Sequence, residues 1–91
     1  METNTAPKYG IGLSHRVAIR TKYLAPTNGG RGSRVKAYAN GHSVTVSWDY
    51  SLDTAENHAL AVEQFVTKME WEGMWTLGAT DNGYVAVWTG L

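Results

Sequence analysis

RVKAYANGHSVTVSW, residues 34–48, is the stretch that decides the fold. Apolar and polar residues alternate on both sides of Asn40-Gly41, as they do in strands that bury one face. Asn-Gly is a strong hairpin signal because both central positions of a type I′ turn need positive φ. A two-residue turn there pairs Val35 with Val46 and brings the apolar positions of the two strands onto one face. The stretch therefore predicts an antiparallel hairpin.

Further elements flank this hairpin on both sides. The alternation in HRVAIRTKYL, residues 15–24, predicts a preceding strand. Asp53 with Glu56 forms an Asp version of the capping box, which predicts a helix over about 54–70. WTLGATDNGYVAVW, residues 75–88, predicts a second hairpin that turns at Asn82-Gly83 and pairs Leu77 with Trp88. The apolar stripe expected on the helix consists of Leu52, Ala55, Ala59, Val62, Phe65, Val66 and Met69.

The order of these elements, β-β-β-α-β-β, predicts an α+β fold. We expect an antiparallel sheet of about five strands with one helix packed on one face. Residues 15–91 would form a single α+β domain, and the polar, glycine-containing residues 1–14 an N-terminal arm. A chain of 91 residues with 43% hydrophobic content is large enough for one core without staples.

Composition narrows the class of protein. The absence of cysteine fits a reducing compartment and excludes thiolate metal sites. The opening METNTAPKYGIGLS has neither the basic start nor the apolar block of a signal peptide, and no apolar run is long enough to span a membrane. We expect a cytoplasmic protein with no membrane partner.

The charges are unevenly distributed along a chain of zero net charge. Residues 1–40 contain seven basic residues and one acid, whereas residues 41–91 contain one basic residue and seven acids. Such asymmetry predicts two faces of opposite charge, which either meet different partners or pair with each other. Opposite faces would also allow head-to-tail association or a homodimer.

The strands before Asn40 carry the candidate binding surface. One helix covers only one face of a sheet, so the other face is solvated or used. Cations with a tyrosine among them could follow a phosphate backbone and stack one base, although lysine and arginine also protect exposed strands from aggregation. The expected ligand-binding or partner-binding residues on this face are Arg16, Arg20, Lys22, Arg34, Lys36 and Tyr38.

The loop PTNGGRGSR, residues 26–34, is the second candidate. Its glycines would let successive backbone N–H groups form a nest for an anion, with Arg31 and Arg34 as charged donors and Thr27 and Asn28 as neutral ones. It lacks the GK[ST] ending of a P-loop. A protein-contact loop and a plain connection between strands remain the alternatives.

Catalytic and metal sites find little support in the sequence. Glu56 and His58 could act as acid and base, but the simpler interpretation is a capping Glu56 followed by exposed Asn57 and His58. The histidines show no ligand spacing, and no serine lies in a nucleophile elbow. We expect no enzyme activity, no metal and no cofactor.

Four short runs resemble a known pattern: TKYLAPTN at 21–28, RGSR at 31–34, WDYSL at 48–52 and ENH at 56–58. They are similar to a family of small, functionally uncharacterised proteins of phages, plasmids and related bacterial loci, whose pattern is TKYxxPTNxRGSR, then S[YW]DxxL and ENH. The resemblance covers about residues 20–70. This chain departs from the pattern with two glycines before Arg31 and with Tyr50 where histidine is frequent.

The resemblance implies an accessory protein of mobile elements, acting in the host cytoplasm if it is phage-encoded. In that setting small proteins block host defence by occupying a binding surface, as anti-CRISPR inhibitors do. We therefore expect a non-enzymatic counter-defence inhibitor that engages a host defence complex, nucleic acid or a nucleotide through the basic sheet face and the glycine-arginine loop. The alternatives are a sequence-tolerant single-stranded nucleic-acid-binding protein and, ranked lower, an acidic helix face that mimics nucleic acid.

Overall fold

The computed structural model describes residues 17–90, which form five strands and one helix. The predicted α+β class and the order β-β-β-α-β-β are confirmed. The arm predicted at 1–14 and the candidate Arg16 lie outside the described residues. The elements are β1 (Ile19–Leu24), β2 (Arg34–Ala39), β3 (His42–Ser47), α1 (Thr54–Met69), β4 (Met74–Thr80) and β5 (Gly83–Gly90).

The strands form one antiparallel sheet in the order β3-β2-β1-β5-β4. β1 therefore lies at the centre, between two hairpins that follow it in the chain. Its register against β2 pairs Lys22 with Lys36, and its register against β5 pairs Ile19 with Ala86. Candidate residues from the first third of the chain consequently occupy the middle of the sheet.

The first hairpin has the predicted register. Asn40 and Gly41 have φ of 52° and 79°, as a type I′ turn requires. Val35 pairs with Val46 and Lys36 with Thr45. Turn chemistry and alternation agree here with the observed pairing, so local sequence was sufficient to predict this hairpin.

The predicted register of the second hairpin was wrong by two residues. Thr80 pairs with Gly83 and Leu77 with Ala86, so the turn lies at 81–82. Gly83 belongs to β5 because β1 passes close to it there, and a Cβ on Gly83 would collide with the carbonyl oxygen of Thr21. A shift of two residues keeps every side chain on its predicted face.

α1 begins at the predicted capping box. The Asp53 carboxylate accepts from the Glu56 N–H at 2.8 Å, and the Glu56 carboxylate accepts from the Asp53 N–H at 2.9 Å. The helix ends at Met69, where Glu70 adopts the left-handed conformation with φ of 59°.

The buried face of α1 is rotated relative to the predicted stripe. Ala55 and Ala59 are exposed, whereas Asn57 and His58 are buried, so the expectation of exposed polar residues at 57 and 58 was wrong. Both polar side chains are buried because partners in the sheet and in the preceding turn satisfy them. The core between helix and sheet comprises Ile19, Val35, Ala37, Ala39, Ala61, Val62, Phe65 and Ala86.

Candidate functional site: the open face of the sheet

The face of the sheet opposite α1 carries most of the predicted basic residues. On β1, Ile19 and Thr21 are buried toward the helix, so Arg20 and Lys22 lie on the opposite face. β2 alternates in the same way. We call this surface the open face; its candidate members are Arg20, Lys22, Arg34, Lys36 and Tyr38.

Lys22 and Lys36 form the centre of the open face. They are direct cross-strand partners, and their ammonium nitrogens lie 5.9 and 5.6 Å from the centroid of the Tyr38 ring. Like charges at opposed positions destabilise a sheet, whereas each cation gains about 0.5–1 kcal/mol from the ring. Within residues 17–90, neither lysine pairs with a carboxylate. The arrangement concentrates positive charge on the middle strands.

A groove of about 680 Å³ extends from this centre toward the turn between β4 and β5. Arg20, Lys22 and Tyr38 line one side, and Asp81 and Asn82 line the turn end. The sequence did not indicate Asp81 and Asn82 as part of this surface, because only the pairing of β1 with β5 brings them beside Lys22. That pairing joins distant segments and has no local signal.

On the other side of the lysines the open face carries hydroxyl groups. β3 places Ser43, Thr45 and Ser47 opposite Tyr38, Lys36 and Arg34, respectively. Hydroxyl groups beside cations supply neutral donors to phosphate or carboxylate oxygens. These three positions are exposed, as the alternation of β3 predicts.

The glycine-arginine loop is folded on itself. The Thr27 N–H donates to the Arg31 carbonyl at 2.9 Å, and the Gly30 N–H donates to the Thr27 carbonyl at 3.2 Å. The Arg31 N–H donates to the Thr27 hydroxyl at 3.2 Å. Three of the amides predicted to hold an anion are thus used inside the loop. Asn28 is exposed and lies beside these turns.

The two arginines of the loop differ in role. The Arg34 guanidinium donates to the carbonyls of Gly32 at 3.0 Å and Ala25 at 3.2 Å, which ties the two ends of the loop together. Arg31 is exposed and borders a cavity of about 500 Å³ with Trp48 and Tyr50. Of the two, Arg31 has the more exposed side chain.

The runs that carry the family resemblance meet at one corner of the molecule. The Tyr23 hydroxyl lies 2.7 Å from the Ser33 hydroxyl, and the Tyr23 ring packs edge-on against Trp48 with centroids 5.5 Å apart. The Trp48 ring in turn packs against His58 at 6.3 Å. Direct contacts therefore join the four runs, at 21–28, 31–34, 48–52 and 56–58. Most of these contacts are packing and hydrogen bonds that stabilise the fold.

Asn57 holds the turn between β3 and α1. Its side-chain oxygen accepts from the Asp49 N–H at 2.7 Å. Its side-chain nitrogen donates to the carbonyls of Asp49 and Asp53, each at 3.0 Å. The Asp49 carboxylate also accepts from the Ser51 N–H and hydroxyl, and these hydrogen bonds lower the pKa of Asp49. A single buried amide thus joins the two ends of this turn through backbone hydrogen bonds.

His58 is buried between α1 and the centre of the sheet. The Thr21 hydroxyl lies 2.6 Å from His58 Nδ1 and 3.2 Å from the carbonyl oxygen of Tyr84, within hydrogen-bond distance of both. The Tyr84 ring packs on His58 at 4.6 Å. Burial lowers the pKa of His58. His58 and the capping Glu56 therefore have separate structural partners.

Residues 17–90 contain no group of three or more His, Cys, Asp or Glu arranged to hold a metal ion. In the same residues no helix has the length and apolar character needed to cross a membrane.

Comparison with protein-family models, with curated proteins and with solved structures finds no match to this chain.

Proposed function

We propose that this protein is a non-enzymatic binding protein that engages an anionic partner through the open face. In the mobile-element setting that the resemblance implies, the partner is a host defence complex, and the protein inhibits it by occupying a surface. The observation that carries the proposal is the pair Lys22 and Lys36, opposed on central strands over one tyrosine ring without a carboxylate partner in the described chain.

The position of Tyr38 favours an acidic partner surface over base stacking. Both ammonium groups lie over its ring, so the ring already serves as a platform for the two cations. Single-stranded nucleic-acid readers stack successive bases on several aromatic side chains. The open face offers one such ring, and it is half-buried.

Direct binding of single-stranded nucleic acid is the second candidate function. The hydroxyl groups of Ser43, Thr45 and Ser47 beside the cations favour it, because phosphate accepts from both kinds of donor. Such binding would be sequence-tolerant, because cations and hydroxyl groups suit phosphate oxygens, which are the same for every base.

Plaque formation tests the inhibitor. A phage expressing the protein would be plated on bacteria that carry defined defence systems, beside phages expressing Lys22→Gln/Lys36→Gln or Lys68→Gln. Lys68 is the matched control, because it lies on α1, which packs on the other face of the sheet, and its ammonium donates to the backbone carbonyl of Ser43. Protection lost in the double variant and kept in Lys68→Gln supports the proposal. Equal protection by all three proteins would rule out the open face as the surface that inhibits host defence.

Fluorescence anisotropy separates the second candidate from the first. Labelled single-stranded DNA and RNA of twenty nucleotides would be titrated between 20 and 200 mM salt. Direct nucleic-acid binding predicts an affinity that falls steeply with salt, with a slope reduced by about 1.4 when both lysines are replaced. No binding at 20 mM salt would exclude this candidate and leave the acidic host surface.

A further inference from the structure

The groove on the open face has room beside Lys22 because a side chain is missing there. Gly83 is the direct cross-strand partner of Lys22, and it has no side chain to fill the space between that lysine and the turn at 81–82. The fold requires this glycine, because a Cβ there would collide with the carbonyl oxygen of Thr21. The same absence contributes to a groove of about 680 Å³ on the surface.

Gly78 is a second missing side chain on this surface, and the fold does not require it. It lies on the open face because its neighbour Leu77 packs toward the core, and it pairs with Val85, which lines the groove. A Cβ on Gly78 would meet only the Val85 carbonyl oxygen, at 4.0 Å, and its φ is not positive. Glycine inside a strand weakens it and often marks a place where a ligand or another backbone approaches closely. Gly78 therefore keeps the β4 side of the groove open.

The two walls of the groove carry opposite charges. Arg20 and Lys22 form the wall on β1, and Asp81 lies in the turn at the other side. β4, which ends at this turn, lies two strands from β1, or about 10 Å at ordinary strand spacing. Within residues 17–90, Asp81 forms no ion pair, so its charge acts on whatever enters the groove.

Walls of opposite charge disfavour a polyanion. A nucleic-acid strand carries a charge at every phosphate, so phosphates drawn to Arg20 and Lys22 would bring others toward Asp81. Such a repulsive element is a common source of specificity. A protein segment can instead place a carboxylate beside the cations and an ammonium beside Asp81. Neighbouring side chains of an extended segment point to opposite sides, so an acidic residue followed by a basic one matches the two walls.

We propose that the groove binds an extended segment of the partner protein in which an acidic residue is followed by a basic one, and that Asp81 selects this segment over nucleic acid. The proposal rests on the proposed function, because it names the chemistry of the partner that binds the open face. The acidic residue pairs with Arg20 and Lys22, and the basic residue pairs with Asp81. The backbone of the segment passes close to Gly78.

Two fluorescent peptides of nine residues test the selection by anisotropy at 20 mM salt. One repeats glycine-glutamate-lysine three times, and the other repeats glycine-glutamate-serine. Asp81→Asn should weaken the glutamate-lysine peptide and tighten the glutamate-serine peptide, so that the ratio of their affinities changes by about fivefold. Asparagine suits the same turn, so the substitution keeps the fold. A change of less than twofold in the ratio would overturn the proposal.

Glu63→Gln is the matched control for Asp81→Asn. It removes the same charge from an exposed position on α1, on the other face of the sheet, and should leave the ratio within twofold. Labelled single-stranded DNA of twenty nucleotides would be titrated into the same two variants at 20 mM salt. Asp81→Asn should bind the DNA about threefold more tightly than Glu63→Gln. Equal affinities, or no binding by either variant, would contradict the selective role of Asp81.

Gly78→Thr tests the passage of the segment. Threonine suits a strand and this position is surrounded by open space, so the urea midpoint should not fall. The added side chain should weaken the glutamate-lysine peptide by about fivefold or more. Gly32→Thr fills open space at a glycine away from the groove and should leave the affinity within twofold. Equal affinities of the two variants would overturn the path assigned to the segment.

Lys22→Gln/Lys36→Gln separates the failure of this proposal from the failure of the proposed function. If that double variant keeps both peptide affinities and plaque protection, the open face is not the binding surface and both fail. If it loses protection while Asp81→Asn and Gly78→Thr keep the peptide affinities of the unchanged chain, the proposed function stands and only the selected segment is wrong.

Discussion

Asn57 shows how one buried polar side chain can define a turn. It is fully buried, and both its oxygen and its nitrogen hydrogen-bond to backbone groups of Asp49 and Asp53. The sequence predicted an exposed helix residue at this position. Helical periodicity is read from apolar residues, so it does not detect a polar side chain that is buried with its hydrogen bonds satisfied. The run ENH was the available signal, since it resembles a recurring motif while having no apolar character.

Replacing Asn57 with alanine should lower the free energy of unfolding by about 1–3 kcal/mol, because the part-buried hydrogen bonds to the Asp49 N–H and to the carbonyls of Asp49 and Asp53 are lost. Urea denaturation measures this loss. Asn28→Ala, at an exposed position in the glycine-arginine loop, is the control and should stay within about 0.5 kcal/mol of the unchanged chain. A loss of similar size in both variants would contradict the role assigned to Asn57.

His58 should make stability depend on pH. Burial lowers its pKa from the ordinary value of 6.5, so at pH values just below 6.5 the unfolded chain binds the proton more readily than the folded one. The contribution of His58 to the free energy of unfolding is then fully present above pH 6.5. It is lost as the pH falls from 6.5 through the folded-state pKa. Urea midpoints between pH 5 and 8 measure this decline.

His58→Gln removes the titrating group and should reduce that decline. His42→Gln changes an exposed histidine at the start of β3 and serves as the control. A pH profile that keeps its full slope in His58→Gln would show that another group is responsible.

At the scale of elements, the two hairpins show what local sequence can and cannot specify. At Asn40-Gly41 the observed register is the one that the local turn chemistry predicts. Asn82-Gly83 has the same residues, yet Gly83 is used where β5 passes close to β1. The contact between β5 and β1 therefore decides the register of this hairpin. A two-residue turn signal carries no information about such a contact.

The opposed lysines on β1 and β2 predict that binding changes while stability hardly does. Lys36→Gln removes the repulsion from Lys22, worth about 0.2–1 kcal/mol, but also the contact with the Tyr38 ring, worth about 0.5–1 kcal/mol, so the free energy of unfolding should change by less than about 1 kcal/mol. The same variant should weaken binding to the anionic partner. Urea denaturation and the plaque assay measure the two effects, and Lys68→Gln is the control for the plaque assay. A loss of more than about 1 kcal/mol in Lys36→Gln would contradict this balance of contacts.

At the scale of the whole molecule, the division of charge along the sequence becomes a division between surfaces. The cations of β1 and β2 lie on the open face, while Glu56 and Glu63 border a cavity beside α1. Alternation within strands predicted the membership of the open face from Arg20 to Tyr38. Charge counting could not show that Arg34 is engaged by its own loop, because that contact depends on the loop conformation.

This division predicts behaviour that net charge alone does not. At pH 7.5 and low salt, the protein should be retained on a cation exchanger although its formal net charge is zero. Lys22→Gln/Lys36→Gln should elute at clearly lower salt than Lys68→Gln/Arg31→Gln, which removes as many charges outside the sheet. Identical elution of the two double variants would show that the charges act without regard to the surface they occupy.

The central place of β1 has a consequence for the synthesis of the chain. Ile19 must wait for its partner Ala86, which leaves the ribosome roughly 67 residues later, or about 3–13 s at ordinary rates of translation. Until then β1 is an edge strand of the nascent sheet. The first hairpin pairs with one side of β1, and its other side has no strand partner. Docking of the last hairpin is thus the step that completes the fold, so rare codons between α1 and β5 would prolong the interval in which a growing chain can pair with a neighbouring one.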